Sequence, residues 1–218
     1  MTEKLILGKY TKGKHLGEGG LAIVYEGFDV NVKRPVALKV LREEFLEEDD
    51  VSGSFQYEAE VLGRLDHPNV PAVFDLGKEE DLGLLYAMQL VPGRDFEQLL
   101  SSSPGTTTAN ANHFSIFERV CHTVAYAHGE GYIHRDLKPE NIVIGKHGKV
   151  FVTDWGLAKK IGGDEARPAG AETIAGTIKG TPLYMSPEQA EGDTEHIDYR
   201  TDVFALGVLL YRLLTGTL

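Results

Sequence analysis

Short apolar or β-branched runs broken by glycine mark the chain from Tyr10 to Val40. They read Leu16-Gly-Glu-Gly-Gly-Leu-Ala-Ile-Val24-Tyr25 and then Arg34-Pro-Val-Ala-Leu-Lys39-Val40, which predicts a hairpin followed by a third strand. Between Glu43 and Leu65 the spacing turns helical, with Phe55, Ala59, Leu62 and Leu65 at steps of three and four. His67-Pro68-Asn69 closes that helix, because the residue before a proline is pushed out of the helical region. Two strand-like runs follow, Val70 to Leu76 and Leu82 to Val91, ending at Pro92-Gly93. Residues 101–112 are small and polar without an apolar period, and so predict a surface loop. Phe117, Val120, Cys121, Val124 and Ala127 restore helical spacing. The run from Val203 to Leu214, interrupted by Tyr211 and Arg212, predicts a buried core helix too short to span a bilayer.

Composition narrows the classes. A hydrophobic fraction of 42% over 218 residues suits a soluble globular protein of one good core or two small lobes. Lysine and arginine number 22 against 33 acidic residues, a net charge of −11. That balance argues against nonspecific binding to nucleic acid or anionic membrane and favours basic or neutral polypeptide partners. Cys121 is the only cysteine, so no intrachain disulfide forms and a reducing compartment is expected. The first ten residues lack an apolar stretch long enough for a secretory signal; cytoplasmic location is the expectation.

The chemistry concentrates in His134-Arg135-Asp136-Leu137-Lys138-Pro139-Glu140-Asn141, just before the apolar-rich run Ile142-Val143-Ile144. A carboxylate, an ammonium and an amide stand there at steps of two and three. Phosphoryl transfer needs that set: Asp136 to orient an attacking hydroxyl, Lys138 to neutralise charge on the transferred group, Asn141 to offer an oxygen to a divalent cation. The octet is identical to the catalytic loop of eukaryotic-like (Hanks-type) serine/threonine protein kinases. At residue frequencies of about 5% each, such a match by chance is on the order of one in ten billion per site.

The resemblance runs from about Tyr10 to Leu218 and is to the bacterial type. It implies an α+β, bilobal kinase-like fold: an N-terminal antiparallel β-sheet lobe with an αC helix over residues 1–91, and a mainly helical C-terminal lobe over 92–218 that lacks its last helices. It implies an ATP site formed by Leu16, Gly17, Glu18, Gly19, Gly20, Val24, Ala37, Lys39, Met88, Gln89, Leu90 and Val91. In that site Met88 is the gatekeeper and residues 89–91 are the adenine-binding hinge. Ala22 replaces the family's third loop glycine. Lys39 would contact the α- and β-phosphates and pair with Glu58 of αC, with Glu60 as the fallback. Asp154, in Thr153-Asp154-Trp155-Gly156, would be a second Mg2+ ligand beside Asn141, with Trp155 where phenylalanine is usual.

The same likeness implies a regulatory set in which phosphorylated Thr173, or Thr177 as second choice, docks against Arg135. Thr181 belongs to a substrate-proximal loop ending at Ser186-Pro187-Glu188, and Lys138 with Thr181 marks the serine/threonine branch. Asp202 would hydrogen-bond the catalytic loop's backbone. ATP and Mg2+ are the expected cofactors and serine/threonine-containing proteins the substrates. Self-association or autophosphorylation in trans is compatible with this, and neither nucleic acid nor membrane insertion is expected. Because the chain ends just after the αF-like helix, Glu188 is expected to be buried without its usual arginine partner, a cost of about 3–5 kcal/mol. An apolar flank of that helix would also be uncovered. The alternative is a truncated, catalytically weak or silent nucleotide-binding module of the pseudokinase kind. A small-molecule kinase of the aminoglycoside type comes third, since residues 180–188 resemble a polypeptide platform.

Overall fold

The computed structural model describes residues 4–101, 111–162 and 182–217. Among these, contacts group into two compact units. One holds the chain up to Asp66 together with Pro71–Val91; the other holds His67–Val70 and the described chain from Pro92 onward.

The first unit contains β1 (Tyr10–Glu18), β2 (Ala22–Asp29), β3 (Arg34–Leu41), α1 (Asp49–Arg64), β4 (Val73–Glu79) and β5 (Gly83–Gln89). Its sheet has the order β1-β2-β3-β5-β4, antiparallel at every step. β3 and β5 lie inside the sheet, and both of their faces are covered, so their sequences are nearly continuous apolar runs. One face presents Val36, Leu38, Val40, Leu85 and Ala87 to a core shared with Ile6 and Tyr10.

The other face follows from register. Direct cross-strand partners share a face, and the pairs run Gly17 with Val24, Val24 with Lys39, Lys39 with Tyr86, and Ala37 with Met88. Phe55 of α1 packs its ring 5.1 Å from that of Tyr86, so the helix covers this same face. α1 starts later than the helical spacing suggests. A short 3-10 turn at Glu43–Phe45 precedes it, and Asp49 and Asp50 fill its first turn, where negative charge complements the helix dipole. β4 also begins later than expected, at Val73, because Val70 is held in a turn by the His67 carbonyl at 3.0 Å.

The second unit contains β6 (Gly93–Asp95), α2 (Phe96–Ser101), α3 (Ala111–Gly129), β7 (Tyr132–Ile133), β8 (Ile142–Gly145), β9 (Val150–Val152), β10 (Lys159–Lys160), α4 (Pro187–Glu191) and α5 (Tyr199–Thr215). β6, β8 and β9 form one small sheet, and β7 pairs with β10. β6 approaches β8 so closely that a Cβ at Gly93 would lie 2.3 Å from the Ile144 carbonyl oxygen, which leaves room only for glycine. α3 buries Val120, Val124 and Ala127. Cys121 on the same helix is half-buried, and burial pushes its thiol up from the ordinary value, which keeps it protonated and inert.

α5 is a core helix on one face only, and its other face is the expected uncovered apolar flank. Thr201, Asp202, Ala205, Leu209 and Leu213 are buried, while Val203, Phe204, Tyr211 and Leu214 are exposed. Its apolar residues therefore occupy two faces, of which one is packed. Among the described residues no helix is long and apolar enough to cross a membrane.

Candidate active site

The first unit brings together three side chains from three elements. β3 and β5 are registered so that Lys39 and Tyr86 stand side by side, and α1 lays Glu58 over them. The Lys39 ammonium donates to both carboxylate oxygens of Glu58, at 2.6 and 2.7 Å, and the Tyr86 hydroxyl donates to Glu58 Oε1 at 3.0 Å. Glu58 is buried, so these donors supply the hydrogen bonds that water would otherwise give its carboxylate oxygens. Glu60 is exposed, and its carboxylate stands 4.0 Å from Arg64 one helical turn on; it is Glu58 that reaches Lys39. Burial, and then the negative charge of Glu58, raises the Tyr86 phenol well above its ordinary value, so it stays a proton donor to the carboxylate.

The register places Gly17, Val24, Ala37, Lys39 and Met88 on the face that carries this cluster. Leu16 is exposed on β1, Glu18 and Gly20 are exposed at the turn, and Leu90 and Val91 are half-buried beyond the end of β5. A Cβ built at Gly17 would meet nothing within 4 Å, and one at Gly19 only the Ala22 carbonyl oxygen at 3.8 Å. Neither glycine has positive φ. The fold's own packing and backbone therefore do not require glycine at these two positions. Bare backbone bordering open space is what close approach of a phosphate requires.

The second unit assembles the octet into one hydrogen-bonded loop. Asp136 accepts from the Lys138 ammonium at 2.7 Å and from the Asn141 amide at 2.9 Å, both on Oδ2. The same Asn141 amide nitrogen donates to the Asp136 carbonyl at 2.8 Å. Asn141 thus turns its nitrogen toward Asp136 and keeps the lone pairs of Oδ1 to offer a cation. The Asn141 carbonyl accepts from the Thr153 N–H and hydroxyl, at 2.8 and 3.1 Å, which ties the end of β9 to the loop. Asp154 follows at once, exposed and in the left-handed region at φ 62.

His134 is fully buried and supports the loop from within. Its Nδ1 accepts the Asp136 N–H at 3.2 Å and its Nε2 lies 3.1 Å from the Thr153 carbonyl. An acceptor role at Nδ1 and a carbonyl beside Nε2 assign the ring proton to Nε2. Trp155, also fully buried, lies 4.5 Å from the His134 ring and donates Nε1–H to the Val152 carbonyl at 3.0 Å. Beneath, Asp202 of α5 accepts the N–H groups of His134 and Arg135, each at 2.8 Å, and lies 2.8 Å from Nε2 of His128. Arg135 has φ 68. It is buried, and its Nε donates to the Leu157 carbonyl at 2.6 Å.

α4 is anchored to the same loop, since Gln189 donates to the Arg135 carbonyl at 2.8 Å and accepts the Ser186 N–H at 3.2 Å. Glu188 corrects the expectation of a buried, orphaned carboxylate. It is only half-buried and accepts the Thr201 hydroxyl at 2.7 Å. That bond, more than any other influence, holds it below the ordinary carboxylate value. A second tie joins three elements: Arg212 of α5 donates through Nη2 to Glu97 of α2 at 2.6 Å, and its Nη1 pairs with the other Glu97 oxygen and with the Tyr184 hydroxyl, the latter at 2.9 Å. Thr173, Thr177 and Thr181 lie outside the described residues.

Tyr86, the His134 ring, Gln189 and Arg212 had no role in the sequence reading. The one available signal was for Tyr86, because a tyrosine inside a central buried strand needs a partner for its hydroxyl. Among the described residues no group of three or more histidine, cysteine, aspartate or glutamate side chains gathers to hold a metal. The donor set nevertheless fits Mg2+. Asn141 Oδ1 and the Asp154 carboxylate are hard oxygen donors, and Mg2+ is typically bound by one or two carboxylates with substrate phosphates and water.

A family model described as Protein kinase domain matches residues 10–218. Serine/threonine-protein kinase pkn3 of Myxococcus xanthus is 41% identical over 219 residues, covering 99% of this chain and 39% of its own length. Serine/threonine-protein kinase PrkC of Bacillus subtilis is 33% identical over 213 residues, covering 98% and 31%. Probable serine/threonine-protein kinase PknB of Lactococcus lactis is 35% identical over 214 residues, covering 98% and 32%. The chain thus spans well under half the length of each of these relatives.

Proposed function

The chain belongs to the protein kinase domain family, and from that premise we propose that it is an ATP- and Mg2+-dependent serine/threonine kinase acting on proteins. The observation that carries this reading is the Asp136 carboxylate, held by the Lys138 ammonium and the Asn141 amide in a loop whose backbone is pinned by Asp202.

The substrate hydroxyl oxygen attacks the γ-phosphorus of ATP, the bond from that phosphorus to the β-bridging oxygen breaks, and ADP leaves. Asp136 orients the hydroxyl and accepts its proton. Lys138 balances the negative charge on the transferred group, and Lys39, fixed by Glu58, contacts the α- and β-phosphates. Asn141 Oδ1 and Asp154 are the residues that hold Mg2+, which when bound neutralises charge on the phosphate oxygens. Residues 1–91 act as the nucleotide lobe, with Met88 to Val91 at the adenine, and 92–218 as the catalytic and substrate lobe. Phosphorylation of Thr173 or Thr177, read by Arg135, sets the activity, and Thr181 contributes to substrate placement.

Radiolabel transfer from ATP to a basic model protein, compared for wild type and Asp136→Asn, tests this. Loss of a general base lowers the rate by about 10²–10⁴-fold and leaves ATP binding in place. Equal incorporation by the two proteins removes Asp136 from the role. ATP binding without transfer by wild type points to a silent nucleotide-binding module instead.

A further inference from the structure

Arg42 follows β3 and turns back onto the glycine turn between β1 and β2. Its Nε and Nη2 both donate to the Gly19 carbonyl, at 3.2 and 3.1 Å, and Nη2 also reaches Glu18 Oε2 at 3.1 Å. The Arg42 N–H donates to the Leu21 carbonyl at 2.9 Å, and the turn is closed from within by Gly19 N–H to the Ala22 carbonyl at 2.8 Å. Sheet pairing does not demand this side chain, because the last registered pair of β3 with β2 is Leu41 with Ala22.

We infer that Arg42 is a positioning residue for nucleotide phosphates, aiming the Gly20 N–H of the glycine turn by holding the Gly19 carbonyl. The Gly19–Gly20 peptide is trans. In a trans peptide the carbonyl and the following N–H point in opposite directions. Seizing the Gly19 oxygen therefore turns the Gly20 N–H to the side away from the guanidinium. A glycine turn left to itself spreads over many backbone orientations, and a two-donor, charge-assisted clamp on one oxygen selects among them. Lysine is a poor substitute, since one ammonium lacks the planar fork that presents Nε–H and Nη2–H together. Glu18 steadies the guanidinium from the turn's own side and offsets its charge, so the arginine acts through geometry more than as one further cation near the phosphates.

This inference rests on the nucleotide reading above, and it predicts an effect on phosphates separate from any effect on the base. Calorimetric titration of the 218-residue chain with ATP and with adenosine, in Mg2+, reads it out for wild type, Arg42→Ala, Arg42→Lys and Glu18→Gln. Arg42→Ala should weaken ATP about tenfold, the scale of one charge-assisted hydrogen bond, and leave adenosine affinity within about twofold. Arg42→Lys should recover only part of the loss, and Glu18→Gln should give a smaller loss with the same selectivity for ATP. Equal losses for ATP and adenosine would assign Arg42 to packing and overturn the inference; so would unchanged ATP affinity in Arg42→Ala. Should Arg42→Ala not fold, an Arg42→Lys protein with the wild-type ratio of ATP to adenosine affinity overturns it as well. Adenosine binding without ATP binding by wild type would remove the parent reading and this inference together, an outcome distinct from failure of the arginine alone.

Discussion

Asp202 accepts the backbone N–H of His134 at 2.8 Å across 68 residues of sequence, on the oxygen that also lies 2.8 Å from His128. Its other oxygen takes the next N–H, that of Arg135. Two successive amides bound by one buried carboxylate hold the peptide plane between them, and this fixes the approach to Asp136. It also helps account for how Arg135 keeps a left-handed backbone, a conformation that costs a non-glycine residue about 1–3 kcal/mol. Replacing Asp202 by alanine strands two buried donors. Unfolding in urea should show a loss of about 3 kcal/mol, and a loss under about 1 kcal/mol would mean that the loop amides find other acceptors.

Tyr86→Phe removes only the hydroxyl that donates to Glu58. The Lys39 to Glu58 pair keeps both of its bonds, so the expected cost is about 1 kcal/mol. The urea midpoint should fall with its slope unchanged. A changed slope would indicate that the substitution alters the unit's compactness, which the geometry gives no reason to expect.

Gly17→Ala separates fold from ligand. Because the added Cβ meets nothing within 4 Å and the backbone there does not have positive φ, thermal stability should be unchanged or should rise by up to about 1 kcal/mol. ATP affinity should drop severalfold, because the methyl group enters the space proposed for phosphate. A variant that loses stability and keeps its ATP affinity would show that the glycine serves the fold.

The Arg212 to Glu97 pair supplies a pH dependence. The Glu97 carboxyl is held below its ordinary 4.5, first by the hydrogen bonds from Arg212. A depressed folded-state value means that the stabilisation is fully present above about pH 4.5 and is lost as pH falls through the folded value. Both side chains are mostly buried, at 19% and 27% exposure, so the pair is screened less than a surface one. Melting curves of wild type and Glu97→Gln should differ at neutral pH and converge in acid; parallel curves would show that the pair contributes nothing.

Local chemistry and period were legible in the sequence. Asp136, Lys138 and Asn141 lie within six consecutive residues, and the structure bonds them to one another. The order of glycine turn, strand lysine and helix carboxylate also followed from spacing and resemblance. For Glu188 the resemblance supplies only a usual arginine partner, and nothing local in the sequence shows Thr201, thirteen residues away, turning its hydroxyl onto the carboxylate. For α5 the apolar run implies burial and the resemblance an uncovered flank, but apolar composition reports how much surface a helix could bury, not which face finds a neighbour.

By itself the sequence determined which reactive groups this protein carries and that those of the octet are neighbours, because groups a few residues apart in one loop cannot separate far. Only the tertiary structure decided that Glu58 and not Glu60 meets Lys39, that Tyr86 completes that cluster, and that Arg42 grips Gly19. Those contacts join residues 19 to 28 positions apart. At such distances, strand register and the rotation of a packed helix choose the partner, and both are set by burial of the whole unit and not by any short stretch of chain.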